Sequence, residues 1–165
     1  MADLHVRSAR VLDPAFVDGL DDRDDAALRS MRDECVELET EVSYVRRLTQ
    51  ARIDILEAEV DRRASGGSLG DLIERLPQIL ADSGPRGNPA SSRLPMQMAP
   101  EQDSEWAPAL AQFDGVLANL PSLTDDALTE AISGLRALER EVSDERHSLF
   151  GVIDRIDQAL AGRLT

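Results

Sequence analysis

Apolar residues recur at alternating spacings of three and four in two long segments of the chain. The seam of the first segment is predicted to run through Leu28, Met31, Cys35, Leu38, Val42, Val45, Thr49, Arg52 and Leu56. The seam of the second is predicted to run through Leu128, Ala131, Leu135, Leu138, Val142, Glu145, Leu149, Val152, Ile156 and Ala159. Heptad spacing of this kind is typical of helices that pack through one face. It predicts long helices over residues 24–64 and 124–162.

Shorter elements are predicted before and between the two long helices. They are a disordered acidic tail over 1–23, a short helix over 68–82, a disordered linker over 83–104 and a short helix over 105–120. The tail carries Pro14 and Gly19 and ends in a cluster of aspartates that repel one another. The linker is rich in Pro, Gly, Ser, Asn and Gln, a composition that favours disorder. Pro77 predicts a kink or an early end in the first short helix.

The two long helices share sequence as well as pattern. Eight of the seventeen residues from 38 to 54 recur as the same type one hundred positions later. We infer that one helical unit was duplicated and that the copies are joined through the central linker. Two amphipathic helices bury their seams on each other, so the sequence predicts an all-α fold, an antiparallel two-helix coiled-coil hairpin that forms one domain over 24–165. An antiparallel pair would bring the two copies together, although the linker is long enough for a parallel pair as well.

A polar stripe lies beside each seam. Its positions are spaced by four, three, four and four, which places them on one face of a helix. The first copy is Glu39, Ser43, Arg46, Gln50 and Asp54, and the second copy is Glu139, Ser143, Arg146, Phe150 and Asp154. Serine is a mediocre helix former in the middle of a helix, yet four residue types agree between the copies. Charged residues also flank coiled-coil seams for structural reasons alone, so a coiled-coil adaptor or structural protein without nucleotide binding is the alternative.

The residue types of the stripe suit a guanine nucleotide. Arginine offers a planar fork to phosphate or to guanine O6 and N7. Aspartate can accept hydrogen bonds from the Watson–Crick N–H groups of guanine, and serine can donate to a phosphate oxygen. Two such stripes suit a ligand with two similar halves. No glycine-rich phosphate loop, metal-ligand spacing or nucleophile with a neighbouring base accompanies them, so we expect no enzymatic activity.

The charge of the chain restricts the kind of partner. The net charge is −14, which disfavours non-specific binding to duplex DNA because such binding needs basic side chains that release counterions. A basic protein, such as a DNA-binding regulator, is a better electrostatic match. No signal peptide or transmembrane run is visible, so we expect a cytoplasmic protein without membrane contact.

Four further side chains have more than one interpretation. Cys35, the only cysteine, lies on the seam and is expected to be a small buried hydrophobic residue. Arg47 lies beside the stripe, where it could serve a phosphate or only the surface. His147 is expected on a solvated face, and Tyr44 projects away from the seam towards a partner or towards solvent.

The duplicated pattern Glu-x3-Ser-x2-Arg-x3-Gln-x3-Asp resembles RsiG, a family of actinobacterial anti-sigma factors. The first copy matches at all five positions, and the second departs only at Phe150. The resemblance implies that cyclic di-GMP binds as a stacked pair across both stripes of an antiparallel hairpin. It also implies that the loaded protein sequesters a WhiG-type sigma factor and so represses sporulation transcription. Because one chain carries both stripes, we expect a monomer in a 1:1 complex with the sigma factor, with a homodimer as the alternative.

The resemblance assigns the stripe residues to the ligand. The implied cyclic di-GMP contacts are Glu39, Ser43, Arg46, Gln50, Asp54, Glu139, Ser143, Arg146, Phe150 and Asp154. The arginines would contact guanine or phosphate, the aspartates would read guanine edges, and the serines would hold phosphate. The glutamates would orient the arginines or touch ribose and base. Phe150 cannot make the polar contact of Gln50, but its ring could stack on a base.

Overall fold

The computed structural model describes residues 6–82 and 105–163, and the regular elements in those residues are all helical. The α-helices are α1 (Val6–Leu12), α2 (Asp25–Ser65), α3 (Leu69–Asp82), α4 (Ala107–Ala111), α5 (Asp114–Ala118) and α6 (Asp125–Ala161). Short 3-10 turns lie at Pro14–Val17, Leu20–Asp22 and Leu120–Ser122. The predicted all-α fold class is therefore confirmed. Within the described ranges, we find no helix with the length and apolar character needed to cross a membrane.

The two long helices begin at side chains that cap a helix, and α2 ends at a glycine. Asp24 caps α2 by accepting a hydrogen bond from the backbone N–H of Ala27 at 2.7 Å. Thr124, one hundred positions later, caps α6 in the same way through Ala127 at 3.2 Å. Gly66 ends α2 in a left-handed conformation (φ 69°), which glycine adopts without strain. The predicted boundaries of both helices agree with the structure to within one residue.

Helices α2 and α6 pack side by side as an antiparallel hairpin. Arg163, just after α6, forms an ion pair of 2.9 Å with Asp25 at the start of α2. At the other end, Arg63 near the end of α2 forms an ion pair of 2.7 Å with Asp125 at the start of α6. Each helix therefore begins where the other ends. The sequence left a parallel arrangement open, and these contacts exclude it.

The predicted seam forms the core of the hairpin. The largest side chains with under 2% exposure on these two helices include Leu28, Leu38, Val42, Val45, Leu56, Leu128, Leu135, Val142, Leu149 and Ile156. Two predicted positions shift by one residue, because Ile53 and Ile153 are buried in place of Arg52 and Val152. Two other predicted seam positions, Glu145 and Ala159, are only half-buried. An ideal α-helix drifts by about 20° per heptad relative to a repeat of 3.5 residues. This drift moves the buried position forward by one residue towards the end of each helix.

A buried carboxylate fixes the end of the hairpin where α2 stops and α6 starts. Glu59 is fully buried and accepts hydrogen bonds from Arg62 (2.6 and 2.8 Å) and from Arg63 (2.7 Å). Arg63 also donates to the carbonyl groups of Leu120 and Leu123 at 3.1 and 2.8 Å. The hydrogen bond from Arg62 is the largest cause that lowers the pKa of Glu59 to about 2. We refer to Glu59, Arg62 and Arg63 as the Glu59 cluster.

The N-terminal segment differs from the predicted disordered tail. Residues 6–23 contain α1 and two 3-10 turns, and Val11 is fully buried in the hairpin core. The backbone N–H groups of Arg7 and Ser8 donate to the carboxylate of Glu105 at 2.7 and 3.4 Å. These partners lie 98 and 97 positions apart in the sequence, so no local pattern indicated them. The structure therefore corrects the prediction of disorder for these residues.

The short helix predicted over 68–82 is present as α3. Leu72 anchors it in the hairpin core with 4% exposure. Pro77 lies inside the helix, which continues to Asp82 rather than ending early. The other segments predicted to be disordered, 83–104 and 1–5, lie outside the described residues, so their disorder stays a prediction.

The short helix predicted over 105–120 is instead divided into α4 and α5, which are separated at Gln112 and Phe113. Arg52 of α2 donates to the carbonyl of Leu110 at 2.7 Å. The ring of Phe113 packs on Gly134 of α6, where an added Cβ would lie 3.2 Å from the ring. Tertiary contacts on both sides of the break therefore fix its position.

The two faces of the hairpin are covered differently. Glu41 and Arg52 lie on the side of the α2 seam away from Ser43 and Gln50. Glu41 forms an ion pair with Arg7 at the start of α1 (3.5 Å) and accepts a backbone hydrogen bond just before α4 (3.2 Å). Arg52 reaches the segment of α4 and α5. Thus α1, α4 and α5 cover this face, and the polar stripe occupies the other.

Candidate functional site

The antiparallel hairpin brings the two copies of the polar stripe face to face. The Nε–H of Arg146 on α6 donates to Glu39 Oε1 on α2 at 2.9 Å. In the symmetrical pair, Arg46 Nη1 lies 3.6 Å from Glu139 Oε1. Exchanging the two sequence copies turns one pair into the other. The centre of the stripe therefore has approximate two-fold symmetry, and each arginine faces a glutamate of the opposite helix.

The two serines complete the contacts within each helix. Ser43 donates its hydroxyl hydrogen to Glu39 at 2.6 Å, and Ser143 donates to Glu139 at 2.8 Å. Residues four apart on a helix are neighbours on its surface, which explains both contacts. The Oγ of Ser43 also accepts a hydrogen bond from Arg146 Nε at 2.7 Å. Each glutamate thus lies against an arginine of the opposite helix, a position compatible with one of the two roles that the resemblance implied for it.

Each half of the stripe takes residues from both helices. The Arg46 half-site consists of Arg46, Gln50, Asp54, Glu139 and Ser143. The Arg146 half-site consists of Arg146, Phe150, Asp154, Glu39 and Ser43. Together they hold four carboxylates and two guanidinium groups. A phosphate can bind here only if the arginines turn to it, because the carboxylates alone would repel it.

The outer residues of the stripe lie towards opposite ends of the hairpin, because the two helices run in opposite directions. Gln50 donates to Asp54 at 2.9 Å. The guanidinium carbon of Arg146 lies 4.7 Å from the ring centroid of Phe150, a cation–π distance. Phe150 keeps 38% of its surface exposed, and Asp154 is exposed as well. The structure therefore joins the centres of the two copies but not their outer ends.

Arg46 is less well bonded than its counterpart. Its Nε atom is buried and has no hydrogen-bond partner among the described residues, although 37% of the side chain is exposed. A buried polar group without a partner destabilises the folded protein by about 1–3 kcal/mol. A ligand oxygen that accepted this N–H would remove the penalty. Arg46 is therefore the stripe residue with the strongest physical reason to take a ligand.

A groove continues the stripe face towards the start of α6, and the sequence analysis did not include it. It has a volume of about 570 Å³ and is lined by Glu57, Val60, Asp61, Thr129, Ile132, Ser133, Arg136 and Arg140. Arg136 forms an ion pair with Glu57 across the hairpin. Val60 and Ile132 give the groove an apolar part. The signal available in the sequence was the spacing of four between Arg136 and Arg140, which places both on this side of α6.

The remaining residues with open interpretations are placed as follows. Cys35 is fully buried in the core, as expected, and this burial raises the pKa of its thiol. Arg47 and Tyr44 are half-buried on α2, and His147 is exposed on α6. The solvated face expected for His147 is confirmed, whereas a phosphate contact of Arg47 stays a prediction.

Comparison with known proteins gives one family match. Residues 14–80 match the family described as RsiG-like. This stretch contains the whole first copy of the stripe. Over these residues, which are fewer than half of the chain, the sequence is similar to the RsiG-like family. The resemblance to this family is thereby confirmed for the region that carries the first copy of the stripe.

The RsiG-like match suggests an anti-sigma factor role and a sigma factor as the kind of partner. It covers α2, most of α3 and the turns before α2, so it includes the first copy of the stripe and not the second. No curated protein matches the chain.

Proposed function

We propose that the protein is an anti-sigma factor that binds cyclic di-GMP on the duplicated stripe. When loaded, it sequesters a WhiG-type sigma factor in the cytoplasm and represses sporulation transcription. The observation that carries the nucleotide proposal is the approximate two-fold symmetry of Arg46, Arg146, Glu39 and Glu139 at the centre of the hairpin. Cyclic di-GMP consists of two identical halves, so a two-fold arrangement of guanidinium and carboxylate groups matches its symmetry.

The proposed roles are those that the resemblance implies for each side chain. Arg46 and Arg146 contact guanine or phosphate through their planar forks. Glu39 and Glu139 orient those arginines, which is the contact that each glutamate already makes across the hairpin. Asp54 reads a guanine edge as an acceptor, as does Asp154 in the second copy. The hydroxyl groups of the two serines, now bonded to the glutamates, donate to phosphate once the nucleotide is bound.

The two outer positions of the stripe would act differently. Gln50 holds the carboxylate of Asp54 by a hydrogen bond of 2.9 Å and can share its amide with the base. Phe150 has an exposed ring on which a purine can stack.

The charge of the chain fits the proposed partner. With a net charge of −14, the chain is attracted to the basic surface of a DNA-binding sigma factor, and this attraction speeds their encounter. Binding of the dianionic nucleotide at the stripe creates a new surface of bases, ribose and protein. We propose that one chain and one sigma factor form the complex, because one chain holds both stripes. The family match over residues 14–80 supports the sigma-factor part of this proposal.

Calorimetry tests the proposal directly. Cyclic di-GMP is titrated into the purified protein alone and in the presence of a WhiG-type sigma factor. We expect saturable heat and a tighter nucleotide affinity when the sigma factor is present, since coupling between two sites is reciprocal. Absence of heat in both titrations would rule out the nucleotide assignment. Saturable heat that does not change with the sigma factor would keep nucleotide binding and reject the gated interaction.

A coiled-coil adaptor without nucleotide binding is the second candidate. It is favoured by the ion pairs that the arginines and glutamates of the stripe already form with one another across the hairpin. The adaptor predicts no response to any nucleotide. Neither candidate includes a catalytic step, so chromatography after a long incubation should return cyclic di-GMP intact, and appearance of a cleaved product would contradict both.

A further inference from the structure

The two half-sites differ in how firmly the arginine is held. In the Arg146 half-site, Arg146 Nε donates to both Glu39 (2.9 Å) and Ser43 (2.7 Å), and the guanidinium lies over the ring of Phe150. In the Arg46 half-site, Arg46 reaches Glu139 only at 3.6 Å, and its buried Nε has no partner among the described residues. The arginine on α6 is therefore fully hydrogen-bonded at Nε, whereas the arginine on α2 is not.

This difference changes what a ligand gains at each half-site. An anionic oxygen that binds Arg46 Nε satisfies a buried donor that otherwise destabilises the protein. An oxygen that binds Arg146 must compete with a charge-assisted hydrogen bond to Glu39 and with the aromatic ring of Phe150. Binding at Arg46 adds a hydrogen bond, whereas binding at Arg146 replaces contacts that already exist. Arg46 is thus the more favourable arginine for a phosphate or a guanine.

The two aspartates of the stripe also favour binding at the Arg46 half-site. Asp54 is held by the amide of Gln50 at 2.9 Å, so its carboxylate is already oriented. Asp154 is exposed, and Phe150 has no polar group with which to orient it. An oriented acceptor loses less conformational entropy when it binds a guanine edge. The Arg46 half-site is therefore better prepared for both phosphate and base.

We propose that the two half-sites are non-equivalent and fill in a fixed order, with the first cyclic di-GMP molecule of the stacked pair binding, and binding more tightly, at the Arg46 half-site. The residue pair Gln50 and Phe150 sets this order, since it is the only difference in residue type between the two copies of the stripe. The inference rests on the proposed function, because it requires that a guanine nucleotide binds the stripe. It goes beyond that function by assigning unequal affinities and an order to two halves of one symmetrical motif.

Exchange of the two outer residues provides the matched variants. Cyclic di-GMP is titrated by calorimetry into the wild type, Phe150→Gln, Gln50→Phe and the double exchange, with or without the sigma factor according to which condition gives saturable heat. We expect two resolved steps in the wild type that differ by about tenfold in Kd, as the removal of one buried unsatisfied donor implies. Phe150→Gln should tighten the second step and bring the two steps together. Gln50→Phe should weaken the first step.

Side-chain NMR identifies which half-site fills first. The Nε–H resonances of Arg46 and Arg146 are followed in arginine-labelled protein and assigned with Arg46→Lys and Arg146→Lys. We expect the Arg46 signal to shift first in the wild type and the Arg146 signal to shift first in the double exchange. Simultaneous shifts with a single calorimetric step, unchanged by the exchange, would overturn the inference and leave nucleotide binding intact. No binding in any condition would overturn the proposed function, and the inference with it.

Discussion

The hairpin carries two arginine–glutamate clusters that differ in burial and in the number of contacts made. In the Glu59 cluster, a carboxylate with 0% exposure accepts three hydrogen bonds from two arginines, and Arg63 continues to the carbonyl groups before α6. In the polar stripe, Glu39 and Glu139 are half-buried, and Arg46 keeps an unbonded Nε. The same residue types thus form a fully bonded buried cluster at one end and a partly bonded one at the centre.

The difference shows that burial determines whether an arginine–glutamate cluster stabilises the fold or stays able to bind a ligand. Removing one partner from a buried, hydrogen-bonded charge leaves the others without compensation, so the Glu59 cluster acts on folding stability. Exposed or half-exposed pairs contribute little to stability because water screens and solvates their charges. Their side chains can therefore be rearranged by a ligand at a small cost. We expect the Glu59 cluster to be structural and the stripe to be the binding site.

The largest expected effect that separates the two clusters is on nucleotide binding. Arg46→Ala should weaken cyclic di-GMP binding by about hundredfold, because a charge-assisted contact to the ligand contributes on the order of 2–3 kcal/mol. Asp154→Ala, in the other half-site, should weaken the second binding step more than the first, and helix content should survive in both variants. Calorimetry measures the affinity, and far-ultraviolet circular dichroism measures the helix content.

Arg32→Ala is the matched control for this pair of variants. Arg32 forms an ion pair with Asp157 across the same hairpin at 2.6 Å, but it lies outside the stripe. Its loss should leave the nucleotide affinity unchanged. Equal affinities for Arg46→Ala and Arg32→Ala would show that the stripe is only a flank of the coiled coil.

The next effect is on folding stability. Glu59→Gln should lower the free energy of unfolding by about 2 kcal/mol, since it removes a buried charge that accepts hydrogen bonds from Arg62 and Arg63. Urea denaturation followed by circular dichroism measures this change. Glu57→Gln is the control, because Glu57 pairs with Arg136 at the surface, where 41% and 58% of the two side chains are exposed. A loss of stability as large in the control would remove the distinction between buried and exposed pairs.

A dependence on pH follows from the same carboxylate. The pKa of Glu59 is lowered to about 2 in the folded protein, from an ordinary value of 4.5, chiefly by the hydrogen bond from Arg62. A lowered pKa means that the folded state favours the ionised form, so the stabilisation is present above pH 4.5 and is lost as the pH falls from 4.5 to about 2. The stability difference between wild type and Glu59→Gln should therefore shrink over this interval. A difference that stays constant between pH 5 and pH 2.5 would contradict this role of Glu59.

The smallest expected effect is a change in folding stability alone, at a residue next to the stripe. Gly151 lies in the interior of α6 beside Phe150, and an added Cβ there meets no atom within 4 Å. Gly151→Ala should raise the free energy of unfolding by about 0.5–1 kcal/mol, because alanine loses less backbone entropy in a helix. Nucleotide affinity should stay unchanged. Gly134→Ala is the contrast, since its Cβ would press on Phe113 at 3.2 Å and offset the gain.

Several features of the site followed from the sequence without the structure. The spacing of the stripe placed its five positions on one helical face, and the repeat at one hundred positions indicated a two-fold arrangement. Two other features did not follow. The difference in hydrogen bonding between Arg46 and Arg146 depends on which acceptors each guanidinium contacts across the hairpin. The complete burial of Glu59 depends on how the chain returns from α2 to α6.

The sequence by itself determined the long helices, their caps and the duplicated stripe, because each is encoded by residues within a few turns of one another. Helical periodicity and capping need only local contacts, so Asp24 and Thr124 mark the starts of α2 and α6 wherever the rest of the chain lies. The tertiary structure excluded the parallel alternative, and it alone decided the docking of α1 through Glu105. It also decided the one-residue drift that buries Ile53 rather than Arg52. These features depend on contacts between residues far apart in the sequence, where packing of whole helices selects the partner of each side chain.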